Sequence, residues 1–121
     1  MEFFRTLPAT LDTTGLQQRL DVPALPGLCD AIDTLVQDEG PDNGVVYCLW
    51  GEFRVRRELI NGGVRFSLPG CPNGLAWTLT TGHPPEPRAV ILHLTINRQE
   101  HDPDFIESLE MFADSWELSA A

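Results

Sequence analysis

Apolar and polar positions follow three rhythms along the chain, and the rhythm changes near residues 24, 44 and 102. Residues 1–23 hold no sustained period and read as an irregular N-terminal segment, in which Thr13 or Thr14 can cap a short helix reaching about Leu20. From 24 to 38, Leu25, Leu28, Cys29, Ile32, Leu35 and Val36 recur at helical spacing, with Asp30, Asp33, Gln37 and Asp38 opposite them. That pattern predicts an amphipathic helix over 24–38, packed on one side and stopped by Gly40-Pro41.

Residues 44–98 switch to period two, the signature of strands. VVYCLW (45–50) is apolar on both faces and asks for cover on both sides. Gly51-Glu52 then forms either a two-residue turn with Gly first or a bulge in one long strand. Phe53 to Ile60, Val64 to Leu68, Leu75 to Thr80 and Ala89 to Arg98 follow as strands. Asn61-Gly62 predicts a type I′ hairpin turn, Pro69 to Gly74 a turn cluster, and Gly82 to Pro87 a rigid loop. The block therefore predicts an antiparallel meander of four or five strands.

The last block opens on Asp102-Pro103, an N-cap acceptor followed by proline at the first helical position. Phe105, Ile106, Leu109, Phe112, Ala113 and Trp116 make one stripe, and Glu110, Asp114 and Glu117 face water, which predicts a helix over 102–118. One domain over 1–121 follows, of the α+β class: an N-terminal helix, the meander, and a C-terminal helix on the same side of the sheet.

Charge changes the picture at one place. The chain carries 18 acids against eight arginines and no lysine, net −10, yet residues 44–98 are net positive. Four arginines crowd into EFRVRRELINGGVRF, residues 52–66. Registering that hairpin on Asn61-Gly62 pairs Glu58 with Arg65, Arg57 with Phe66 and Arg56 with Ser67. Arg54, Arg56 and Arg65 then share a polar face, whereas Arg57 falls on the apolar face beside Phe66 and has to snorkel, pair with a carboxylate, or bind an anion. On the same argument Thr78, His93 and Thr95 extend the polar face across the later strands.

The acidic balance excludes nonspecific nucleic-acid binding and attraction to an anionic membrane surface. The N-terminus lacks a basic start and a long apolar run, so a cytoplasmic location is expected. Cys29, Cys48 and Cys71 are widely spaced and suggest neither a disulfide framework nor a zinc site; the first two are expected to be buried and Cys71 accessible. The acids that follow His101, Asp102 and Asp104, already have a role at the helix start, so no metal is implied. Phosphate-loop, dinucleotide and hydrolase motifs are absent from the sequence, which implies no cofactor and names no catalytic residue.

The expectation is a non-enzymatic protein-binding or adaptor module, probed on a face built from Arg54, Arg56, Arg65, Thr78, His93 and Thr95, with a partner protein or a second copy of itself as a homodimer. Its style is that of the small acidic chaperones of bacterial secretion systems, whose order of strands and helices differs from the one predicted here. The alternative is a small anionic ligand, or a substrate, held between sheet and helices by Arg57 and walled by Tyr47, Trp77 and Trp116.

Overall fold

The computed structural model describes residues 1–8, 10–82, 88–97 and 101–118. The chain is α+β, and the described residues form one seven-stranded antiparallel sheet with three α-helices and a 3-10 turn. The strands are β1 (Glu2–Leu7), β2 (Ile32–Asp38), β3 (Asn43–Cys48), β4 (Gly51–Ile60), β5 (Gly63–Ser67), β6 (Ala76–Thr80) and β7 (Val90–Thr95), and the helices are α1 (Thr13–Arg19), α2 (Leu25–Leu28) and α3 (Pro103–Asp114). Their order across the sheet is β1-β7-β6-β5-β4-β3-β2. The chain lays down one edge first. It then crosses through α1, the 3-10 turn (Val22–Ala24) and α2 to the opposite edge, and returns strand by strand until β7 meets β1.

The segment 24–38 is not one helix. Helix α2 ends after a single turn at Leu28, and residues 32–38 are the edge strand β2. The helical spacing of its apolar residues has a different origin. Strand β2 pairs Ile32 with Cys48 and Leu35 with Val46, and the register slips between Ile32 and Thr34 and again between Leu35 and Gln37. An extra residue in a strand restarts the inside-outside alternation, so apolar residues three apart both face the core. Pro26 and Gly27 also make the start of the segment a poor helix.

Residues 1–23 are not irregular either. Strand β1 pairs with β7 from Glu2↔Thr95 to Leu7↔Val90, and Asp12 caps α1 by accepting a hydrogen bond from the Gly15 N–H at 2.7 Å. The sheet thus has seven strands where four or five were expected, because the first and second strands lie in segments read as irregular or helical.

The central hairpins follow the expected register, with Arg57 opposite Phe66 and Glu58 opposite Arg65. Two turns differ from expectation. Between β3 and β4 the turn is Leu49-Trp50, and Gly51, at φ +110°, is already the first residue of β4 paired with Cys48. At Asn61-Gly62 only Gly62 has positive φ, which fits a type II turn and not type I′. Leu59 pairs with buried Val64 on the covered face yet is 57% exposed, because it lies at the hairpin tip.

Among the described residues all the helical cover lies on one side of the sheet. Leu16 of α1, Val22, Leu25, and Leu109, Phe112 and Ala113 of α3 pack with Val46, Val55, Val64, Phe66, Trp77, Leu79, Leu92 and Leu94 in one core. Trp77 meets Phe112 edge-on at 5.0 Å between ring centroids and lies 5.6 Å from Phe66. The crossover runs so close to β3 that a Cβ on Gly44 would meet the Val22 side chain at 2.8 Å and the Gln37 carbonyl at 2.9 Å. Helix α3 starts as expected, with Asp102 accepting from the Asp104 N–H at 2.9 Å and Pro103 in the first turn. It stops at Asp114, short of 118, because Trp116 leaves helical geometry to form an antiparallel bridge with Cys29.

Candidate functional site

The face of the sheet turned away from the helices is the candidate site. Cross-strand neighbours share a face, so the register sets its side chains in rows. One row runs Glu2, Thr95, Ala76, Ser67, Arg56 across β1, β7, β6, β5 and β4. The next runs Phe4, His93, Thr78, Arg65, Glu58 over the same strands. Beyond Arg56, Asn43 continues the first row, and Arg54–Val45 and Glu52–Tyr47 form further pairs on β4 and β3.

All six residues expected at an interface, Arg54, Arg56, Arg65, Thr78, His93 and Thr95, lie on this face. Arg65 reaches Glu58 at 3.1 Å, and Arg54 reaches Glu39 at 2.7 Å. The Arg54 hydrogen bond holds the Glu39 carboxyl below its ordinary range, and Glu39 in turn raises Arg54. Arg56 has no ion-pair partner among the described residues. His93 is held from two sides: its Nε2 lies 2.9 Å from a Glu2 carboxylate oxygen, and the Phe4 ring stacks on it at 4.3 Å with an interplanar angle of 4°.

Sequence reasoning missed Glu2 and Phe4 because it missed the strand that carries them. The available signal was the alternation Phe3, Arg5, Leu7 against Glu2, Phe4, Thr6, which is short for a periodicity argument. Phe4 is 57% exposed and Tyr47 51% exposed, and both lie on the open face. Val45 and Tyr47 therefore lack the second cover that the doubly apolar strand called for.

The four residues expected to build an anion pocket do not come together. Arg57 lies on the covered face with its side chain 8% exposed. Its Nε donates to Asp42 at 2.9 Å, and its Nη1 donates to the carbonyls of Gln17 at 2.8 Å and Leu20 at 3.0 Å. These carbonyls end α1, where a cation suits both the unpaired acceptors and the helix dipole. Trp77 and Trp116 are buried in the aromatic core, and Tyr47 points to the other side of the sheet. Both indole N–H groups are buried without a hydrogen-bond partner among the described residues, at a cost on the order of 1–3 kcal/mol each.

Three clefts can be placed among the described residues. The most apolar, about 190 Å³, is lined by Trp50, Phe53, Leu68, Cys71, Leu75 and Phe105. A second borders Tyr47 and Met111, and the third lies between the Thr10–Thr13 segment and Arg88. Burial raises the Cys29 thiol to about 12 and raises Cys48 as well, whereas Cys71 is partly exposed. His83 falls outside the described residues. No helix among them is long and apolar enough to cross a membrane.

No family model matches the chain, and no curated protein matches it. Among solved structures it is similar to an uncharacterised protein from Bacillus thuringiensis, with a TM-score of 0.61 and 13% identity over 95% of this chain and 91% of that one. At that identity the likeness establishes a shared fold.

Proposed function

We propose that the chain is a non-enzymatic protein-binding module, adaptor-like or chaperone-like, that presents the open face of its sheet to a partner protein. The observation that carries this reading is the one-sided cover: every helix among the described residues lies against one face, while the other displays exposed Phe4 and Tyr47 among arginines and threonines. Antiparallel sheets can leave one face to water, but a wet face has no need of large exposed rings at its two ends. Aromatic residues and arginine with few lysines are the composition enriched at protein interfaces.

The small-anion reading has less support, because two nitrogens of Arg57 already serve Asp42 and the end of α1. A thermal-shift screen against carboxylates and phosphates is expected to show no ligand that depends on Arg57.

The face itself is tested by affinity capture with the full chain as bait. Thr78→Arg, at the centre of the face, is expected to release what the native chain retains. Phe105→Ala, beside the apolar cleft, is expected to retain it. The reverse result would move the binding surface to the cleft.

A further inference from the structure

The occupant of the open face can be named from its charge pattern. We propose that it is a second copy of this chain, packed sheet to sheet about a two-fold axis running along β6; this rests on the open face being the binding surface.

Charge comes first. The chain is −10 in total, so two copies repel over most of their surfaces. On the open face of β1 and β3–β7 the register places Glu2, Glu52 and Glu58 together with Arg54, Arg56 and Arg65, and Glu39, which reaches Arg54 from the end of β2, leaves the face close to neutral. Two copies can meet there with little like-charge repulsion.

The order of those charges then selects an arrangement. The row Glu2–Thr95–Ala76–Ser67–Arg56 has an acid at one end, a base at the other, and Ala76 of β6 at its centre. An interface with two-fold symmetry pairs a patch with itself, so residue i meets j and j meets i. An axis along β6 lays β1 of each copy over β4 of the other. Glu2 then faces the second copy's Arg56, which has no ion-pair partner among the described residues. Thr95 faces Ser67, and Ala76 and Thr78 each face their own counterparts. These small side chains on the axis allow the sheets to approach to the usual ~10 Å. Aligned sheets cross at about 30°, which displaces a residue two strands from the axis by about 5 Å, within the reach of an arginine.

Size is compatible too. The five strands that face each other, about 4.8 Å apart and about 17–20 Å long, present a plan area of roughly 330–380 Å². Side-chain relief makes the accessible area larger, toward the ~800 Å² per partner of a standard interface. In the next row Phe4 lies over Glu58 of the second copy, whereas Tyr47, three strands from β6, lies beyond the second copy's β1.

Sedimentation of the full chain tests the proposal. The native protein is expected to dimerise with a dissociation constant in the micromolar range. Arg56→Glu and Glu2→Arg are each expected to weaken the dimer at least about tenfold, and the double exchange is expected to recover most of the loss. Circular dichroism checks that each variant folds. A native chain that stays monomeric at about 100 µM overturns the proposal, as does a dimer whose two single variants are not rescued by their combination. If the native chain is monomeric but Thr78→Arg still abolishes capture of a different protein, the open face remains the binding surface and only the second copy is lost as its occupant. A dimer unmoved by Thr78→Arg, Arg56→Glu and Glu2→Arg overturns both.

Discussion

Arg57 carries one residue's worth of conflict between pattern and charge, and the fold resolves it locally. Its position on β4 points it into the helical layer, where α1 ends and leaves carbonyls without intrahelical partners. A planar guanidinium can serve Asp42 through one nitrogen and two carbonyls through another. Arg57→Ala is expected to cost about 2–3 kcal/mol in urea unfolding, since it strips charged hydrogen bonds from a largely buried site. Arg57→Lys should recover only part of that, because an ammonium lacks the fork.

The Arg54–Glu39 pair is the opposite case, exposed and modest. Glu39 has a folded value below its ordinary one, so its contribution is present above the ordinary carboxylate range and is lost as pH falls through the folded value. The difference in melting temperature between native protein and Arg54→Ala should therefore shrink between pH 7 and pH 3. A constant difference would show that Arg54 acts through packing instead. Of the candidate residues, the sequence placed Arg54, Arg56 and Arg65 on the open face because a two-residue turn dictates cross-strand partners. Tyr47 and Trp77 could not be separated that way, since an aromatic ring suits either side of a sheet.

At the scale of elements, the same arithmetic succeeded where strands are regular and failed where they are not. Strands β3 to β7 alternate cleanly and are joined by short connections or turn clusters, so their order and facing were legible. Strand β2 carries two register shifts in seven residues, and its apolar spacing imitates a helix. Those bulges also suit an edge, where an irregular strand discourages pairing with other chains.

Strand β1 covers the outer side of β7 through a ladder of six residue pairs. Deleting residues 1–7 is expected to leave β7 as a regular, apolar, unprotected edge and to make the protein aggregate. Light scattering of the shortened chain checks this; a soluble, monodisperse product would show that β1 is dispensable. Helix α3 was the most legible helix because its start is written in side-chain chemistry, while its end is set by Trp116 pairing with Cys29, far away in sequence.

On the scale of the whole molecule, the chain folds into two layers with one exposed sheet face, and that asymmetry is where function is proposed to lie. The acids that give the molecule its −10 charge gather mainly in the first and last blocks of the chain, whereas the open face of β1 and β3–β7 is close to neutral. Self-association through that face would leave most of the acidic surface outward, which favours solubility of the assembly.

The sequence by itself determined the α+β class, the core meander, the start of the last helix and the sharing of one face by six polar residues. Each of these follows from local chemistry: a period, a cap, or a turn whose length sets the register. Only the tertiary structure decided that the first strand closes onto the last, that residues 32–38 form an edge strand, and that Arg57 seals the end of α1. Those outcomes depend on groups between 15 and 95 residues apart in sequence, such as Asp42 with Arg57 and Met1 with Ile96. A local period carries no record of a partner that distant.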